Sequence, residues 1–129
     1  MTKLGIIFAG AVLALSGVSA HATELSGTAS VSITSDTSAS AKNIAMDEAR
    51  RQIIVDSLSH YSMPDQLRAA VKDAKSSELT NLIAASEISG ERQSDTTYSA
   101  NITMTLDRGL ARTWLNATGV QNWLPDDTS

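Results

Sequence analysis

The chain has 129 residues, no cysteine and a formal net charge of -4 at pH 7. Its length is that of one domain, and the lack of cysteine excludes disulfides, thiolate nucleophiles and cysteine-ligated metal sites. A net negative charge with scattered basic residues argues against nucleic-acid binding, because such a surface repels phosphate backbones.

The N-terminus has the pattern of a cleaved signal peptide over residues 1–22. An apolar run follows Lys3, and Ala20-His21-Ala22 has small residues at the spacing that signal peptidase requires. Cleavage after Ala22 is the first interpretation, and cleavage after Ala20, which would leave His21 at the new N-terminus, is the alternative. Glycine and serine dilute the apolar run, which favours cleavage over a retained anchor. We therefore expect a periplasmic or secreted protein without a stable membrane anchor after cleavage.

The first part of the mature chain predicts a strand and a long helix. From Ala29 to Ile33 apolar residues alternate with serine, which predicts a strand over residues 24–34. After a loop rich in serine and threonine that could cap a helix, residues 39–61 contain neither glycine nor proline. Their wide apolar arc, which includes Ala45 and Ala49, predicts a helix that packs closely against a sheet.

A second helix should follow after an interruption. Pro64 cannot continue the first helix but suits the first turn of another one, and Ser62 with Asp65 resembles a capping box. Apolar residues at helical spacing from Leu67 to Ala74 predict the body of this second helix. Residues 78–85 are compatible with a further helical turn or with the lead into a strand, and their pattern does not decide.

The last part of the chain predicts a hairpin and a final helix. Residues 84–93 form the second strand, 94–96 the turn and 98–106 the third strand, where apolar and polar residues alternate. A short turn between adjacent strands implies antiparallel pairing. Asp107 can cap a helix over residues 108–118. The expected apolar face of that helix is formed by Leu110, Ala111, Trp114 and Leu115.

The segment after this helix carries the predicted contact residues. Gly119 and Val120 fit a Schellman ending, with Gly119 in the left-handed conformation. Two large apolar side chains follow, which either fold back on the domain or bind a partner protein or a glycan. The residues predicted as possible partner contacts are Asn122, Trp123 and Leu124.

Together these elements give the order β-α-α-β-β-α. We predict one α+β domain over residues 23–125, with helices packed on a small antiparallel sheet, and an acidic tail over residues 126–129.

No catalytic, cofactor-binding or metal-binding residue is predicted. Phosphate-binding loops and activated-serine motifs are missing from the sequence. His60 is interpreted as a solvent-facing residue at a helix end. Asp47 and Arg51 have the spacing of a helical ion pair and are interpreted as surface charges. Trp114 is predicted to lie in the core.

The chain also resembles a group of exported bacterial modules, including the N-terminal module of flagellar assembly protein T, related outer-membrane lipoproteins and uncharacterised periplasmic proteins. Three features carry the resemblance, and they cover most of the mature chain. These are the alanine-rich first helix with Ala45, Ala49, Arg50 and Arg51; the alternating strand from Tyr98 to Leu106; and the final helix with Asp107, Leu110, Trp114 and Leu115, leading to Gly119-Val120 and Trp123-Leu124-Pro125. The chain departs from the lipoproteins by lacking a lipidated cysteine and from the flagellar protein by having one module. The resemblance implies an envelope domain with a part in assembly or protein contact.

The leading functional expectation is a non-enzymatic envelope module for protein interaction or assembly. Its partner would be an unidentified envelope protein or a second copy of the chain. The alternative is a small-ligand or glycan-binding protein or a minor hydrolase, with a pocket between sheet and helices and acids such as Glu87, Glu91 or Asp95.

Overall fold

A computed structural model of the chain describes residues 25–125. The predicted signal peptide over residues 1–22 and the acidic tail over residues 126–129 lie outside this range. Three strands and four helices occupy the described part. Their bounds are β1 Leu25–Thr34, α1 Ser38–Leu58, α2 Pro64–Asp73, α3 Ser76–Thr80, β2 Ile83–Gln93, β3 Thr97–Leu106 and α4 Arg108–Ala117.

The predicted α+β class is confirmed, with one helix more than the predicted order contained. The order along the chain is β-α-α-α-β-β-α. The added helix is α3, whose five residues overlap the segment that the sequence pattern left undecided. A helix this short is hard to recognise because the helical repeat needs several turns to become visible. None of the helices between residues 25 and 125 has the length and apolarity of a membrane span.

The sheet has the strand order β1-β3-β2, and both outer strands pair with β3 in antiparallel orientation. Ile102 at the centre of β3 lies opposite Ala29 of β1 and Ile88 of β2. Because opposite residues share a face of the sheet, the apolar side chains of β1 and β3 point together toward the helices. All of the buried apolar side chains belong to one core.

The opposite face of the sheet, here called the hydroxyl face, carries no charged residue on β1 or β3. Its outward residues on these two strands are Ser26, Thr28, Ser30, Ser32, Thr34, Thr97, Ser99, Asn101, Thr103 and Thr105. Cross-strand hydrogen bonds join several of them, including Thr28 to Thr103 at 2.8 Å between hydroxyl oxygens. The Oγ of Ser30 donates to Oδ1 of Asn101 at 2.6 Å. Such pairs stabilise neighbouring strands against each other.

Helix α1 packs against β1 and β3 through small side chains. Ala41, Ala45 and Ala49 are fully buried at this contact. The approach is close, because a Cβ atom added to Gly27 of β1 would lie 3.2 Å from Cγ2 of Ile53. The alanine-rich face predicted from the sequence therefore sets a short distance between helix and sheet.

Two helices begin at side-chain caps. The Thr37 hydroxyl oxygen accepts the N–H of Ser40 at 3.0 Å before α1. The Asp107 carboxylate accepts the N–H of Leu110 at 2.9 Å before α4, which confirms the predicted cap. Each cap gives a partner to a backbone N–H that the helix itself leaves unpaired.

Helix α2 begins in another way. Pro64 takes the first helical position, as predicted. The expected capping box of Ser62 and Asp65 is wrong: Met63 is the residue before the helix, and no side chain caps it. Ser62 is fully buried, and its hydroxyl instead donates to the carbonyl oxygen of Leu58 at 2.7 Å. This serine therefore supplies a hydrogen-bond donor to a backbone carbonyl group at the C-terminal end of α1.

Strand β2 is exposed along nearly its whole length. Helix α1 covers β1 and β3, so the inner face of β2 projects beyond the helical layer, and Ile88 is 38% exposed. The pairing of β2 with β3 is interrupted between Ile83 and Ala85 and again between Ser89 and Arg92. Such bulges bend a strand and increase its twist.

Helix α4 packs mostly as its sequence indicates. Ala111, Trp114 and Leu115 are buried, so the core position predicted for Trp114 is confirmed. The prediction for Leu110 is wrong, because that side chain is 50% exposed. The buried face centres on Ala111 and Leu115, which leaves Leu110 at its margin in the first helical turn.

Candidate functional site

The segment that follows α4 folds back over the connection between α1 and α2. Ser62 and Asn122 form an isolated antiparallel bridge. Beside it, the backbone N–H of Trp123 donates to the carbonyl oxygen of Tyr61 at 2.8 Å. A stretch without helix or strand of its own is thereby held by strand-like pairing.

Buried side chains fix both sides of this segment. Gly119, with φ of 79°, ends α4 in a Schellman motif in which the N–H of Val120 donates to the carbonyl oxygen of Leu115 at 3.0 Å. Val120 and Leu124 are 4% and 5% exposed. The predicted Schellman ending is confirmed, and the segment between the two buried residues has a defined path.

Trp123 lies between these anchors and is 57% exposed. Its indole Nε1–H donates to the carbonyl oxygen of His60 at 3.2 Å. Together with the backbone bond to Tyr61, this contact holds the ring in one orientation while leaving more than half of it accessible. We call the surface formed by Trp123, Tyr61, His60 and Met63 the tail surface. Met63 is 40% exposed, and the rings of His60 and Tyr61 meet edge to face at 6.4 Å.

The three residues predicted as partner contacts are placed differently from one another. Trp123 is exposed, whereas Leu124 packs in the core. Asn122 is partly buried, and its Nδ2 donates to Oδ1 of Asn116 at 3.0 Å and to the carbonyl oxygen of Val120 at 3.1 Å. Only Trp123 of the three offers a large free surface, and the other two hold it in place.

A polar depression adjoins the tail surface where β1 meets the end of α1. Its lining residues are Leu25, Ser26, Asp56, Ser57, His60 and Tyr61. Ser57 is 7% exposed, and its Oγ has no hydrogen-bond partner among the residues described. The sequence did not lead us to predict this depression. The available signal was that Asp56 and Ser57 precede His60 by four and three residues, a spacing that puts side chains on one side of a helical turn.

Aspartate, serine and histidine are the residue types of a nucleophilic hydrolase, but their arrangement here differs from one. An activated serine needs a base within hydrogen-bonding distance of its hydroxyl. The Ser57 Oγ is buried below the surface and pairs with neither His60 nor Asp56. What the depression offers is a set of hydrogen-bonding groups beside an aromatic surface.

The three acids considered for a hydrolytic pocket do not converge. Glu87 lies opposite Thr103 on the hydroxyl face. Glu91 reaches the inner side, where its Oε2 accepts the Tyr98 hydroxyl at 2.7 Å. Asp95 lies in the turn between β2 and β3. No group of three histidine, aspartate or glutamate side chains within residues 25–125 could hold a metal ion.

The contacts of Glu91 change the acidity of two groups. The hydrogen bond from Tyr98, followed by the contact with Lys42 at 3.3 Å, lowers the pKa of Glu91. Burial and then the carboxylate of Glu91 raise the pKa of Tyr98 to about 12. These three residues connect α1, β2 and β3 through side-chain contacts.

The Arg51 side chain links α1 to α2 and to α3. Its Nε donates to Asp47 at 2.8 Å, its Nη1 to the carbonyl oxygen of Val71 at 2.5 Å and its Nη2 to Ser76 at 3.4 Å. Burial alone would raise the pKa of Asp47, but the hydrogen bond from Ser76 and the pairing with Arg51 outweigh it and lower that pKa. The predicted ion pair is confirmed, as part of a structural network.

Comparison of the chain with protein-family models, with curated proteins and with solved structures gives no match.

Proposed function

We propose that this chain is an exported, non-enzymatic protein of the bacterial envelope that binds a partner protein through the tail surface. The observation that carries the proposal is the state of Trp123, which is 57% exposed yet fixed by two hydrogen bonds. A side chain held in its binding orientation loses little conformational freedom on association. Tryptophan is also enriched among the residues that dominate protein interfaces.

The surroundings of Trp123 support the same role. Tyr61 and Met63 add partly accessible aromatic and apolar area, while His60 supplies a polar edge. An apolar centre with a polar margin is the usual composition of a protein interface. Export is proposed from the signal-peptide pattern of residues 1–22, which lie outside the described range.

The test is recovery of an envelope partner by wild-type protein and by two alanine variants. Trp123→Ala removes the proposed anchor, and Leu110→Ala is the matched control because Leu110 is a comparably exposed apolar residue elsewhere. We expect Trp123→Ala to weaken binding at least tenfold, corresponding to about 1.4 kcal/mol or more, and Leu110→Ala to leave it unchanged. Equal binding by all three proteins would refute the proposal.

A small-ligand or glycan-binding function is the second candidate, favoured by the polar depression beside Trp123. The buried Ser57 Oγ has no hydrogen-bond partner in the described part of the chain, and His60 borders both the depression and the tail surface. A ligand that binds the folded state raises the melting temperature by mass action. A thermal-shift screen of sugars and short peptides, repeated with His60→Ala, separates this function from protein binding.

A further inference from the structure

The two edges of the sheet differ in their protection against pairing with another strand. The β2 edge carries Glu87, Glu91 and Arg92 and is broken by two register shifts. Charges and bulges of this kind prevent edge-to-edge association. Strand β1 has no charged residue and no proline, and its register with β3 is continuous over all ten residues. No other strand in the described part of the chain pairs with its outer edge.

The side chains of β1 are complementary to a second copy of the same strand. Its hydroxyl groups already pair with those of β3, as between Thr34 and Thr97 at 3.1 Å. An antiparallel approach about Ser30 would place Thr28 opposite Ser32 of the second copy and continue this pattern. No like charges would face each other, so the usual penalty for pairing identical strands is absent.

The helical layer above β1 fits the same arrangement. Lys42 contacts Glu91 of β2, which shows that this side of α1 faces β2. Ile44 is two residues further, about 200 degrees round the helix, and therefore lies toward the β1 edge, where it is 41% exposed. Strands are spaced by about 4.8 Å, so helices seated over β1 and β3 in two paired copies would lie about 10 Å apart. This is a normal packing distance for helices.

We propose that the free edge of β1 binds a second copy of this chain, giving a two-fold dimer with a continuous six-stranded antiparallel sheet. The strand order across it is β2-β3-β1-β1-β3-β2. The dimer buries Ile44 of both copies between the paired α1 helices and leaves the charged β2 edges outermost. The proposed dimer does not require the partner binding proposed at Trp123.

The first test is the oligomeric state of the full chain, as the cell processes it, by sedimentation velocity over a concentration series. We expect a monomer–dimer equilibrium that Ser30→Lys weakens at least tenfold, because two lysines would meet near the axis. Ser89→Lys is the matched control, since Ser30 and Ser89 lie opposite the same Asn101 from its two sides. A wild-type protein that stays monomeric up to about 1 mM, a very weak affinity, overturns the proposal. Equal weakening by both lysine variants does so as well.

A second test does not depend on how the chain tolerates a charge in β1. The chain has no cysteine, so Thr28→Cys, Ser30→Cys and Ser32→Cys each introduce a single thiol. We expect at least one of them to form a covalent dimer under mild oxidation, because facing Cβ atoms in an antiparallel pair come close to disulfide distance. Cross-linking only through Ser89→Cys would contradict the proposal. Cross-linking of the β1 cysteines only to another envelope protein would also contradict it.

Discussion

The indole N–H of Trp114 donates a 2.6 Å hydrogen bond to Oε2 of Glu78, and this bond ties α4 to α3. Trp114 is 7% exposed, so water can replace a lost acceptor only poorly. We expect Glu78→Ala to lower the free energy of unfolding by about 1–3 kcal/mol, since a nearly buried N–H would be left unpaired. Urea denaturation measures the change, and Glu48→Ala, an exposed glutamate of α1, is the control with little expected effect.

The guanidinium group of Arg51 should not be replaceable by the ammonium group of a lysine. Its guanidinium nitrogens bond three partners, Asp47, Val71 and Ser76. An ammonium group cannot reach all of them in the same plane. We expect Arg51→Lys to lower the free energy of unfolding by about 1–2 kcal/mol. Arg68→Lys, which alters an exposed pair with Asp65, should change it by less than about 0.5 kcal/mol. Similar losses in both variants would show that the Arg51 network contributes no more than a surface pair.

In the acidic range, the dependence of the free energy of unfolding on pH should involve Glu91. Its pKa is lowered in the folded state by Tyr98 and Lys42, relative to an ordinary value of 4.5. Its contribution is therefore present above that value and is lost as the pH falls through the lowered folded pKa. Glu91→Gln should flatten this part of the curve of unfolding free energy against pH, and Glu87→Gln, which alters a glutamate on the hydroxyl face of the same strand, is the matched control.

In the alkaline range, the dependence of the free energy of unfolding on pH should involve Tyr98, whose pKa is raised from 10.0 to about 12. A raised pKa gives stability that is complete below pH 10 and declines as the pH rises toward about 12. Titration of tyrosinate absorbance in a Tyr61→Phe background isolates Tyr98. An ordinary titration in the folded protein would contradict both the burial of Tyr98 and its contact with Glu91.

The contact between α1 and β1 predicts opposite effects for two small changes. Gly27→Ala places a methyl group 3.2 Å from Cγ2 of Ile53 and 3.5 Å from Oγ of Ser57, and should destabilise the fold by about 1–3 kcal/mol through overpacking. Ser57→Ala removes a buried hydroxyl that has no hydrogen-bond partner within residues 25–125 and should be neutral or stabilising by up to about 1 kcal/mol. Thermal unfolding of both variants measures the signs. A large loss in Ser57→Ala would mean that the hydroxyl is satisfied in solution.

Local signals in the sequence predicted much of the fold. The alternation along β3, the Asp107 cap and the Gly119 ending each depend on a few neighbouring residues, and the structure confirms all three. The prediction failed where a distant element decides. Ser62 looks like a helix cap in the sequence. In the structure the segment that follows α4 pairs with Ser62, which is buried and bonds to the end of α1.

The tail surface was only partly predictable. The sequence identified Trp123 and Leu124 as large apolar residues, yet which of them is buried depends on how the segment crosses the connection between α1 and α2. The exposure of β2 could not be foreseen either, because periodicity does not show which strands a helix covers. The clustering of Asp56 and Ser57 with His60 was visible in the spacing, but their position beside β1 was not.

Leu25, the first described residue, borders the same depression as Tyr61, and Trp123, close to the end of the described range, donates its backbone N–H to the Tyr61 carbonyl oxygen. A reporter domain joined directly before Leu25 or directly after Pro125 would therefore crowd Trp123 and mask what it binds. The turn at residues 94–96 joins the ends of β2 and β3 far from Leu25, beside Thr34. An epitope inserted there would leave the indole accessible for capture experiments.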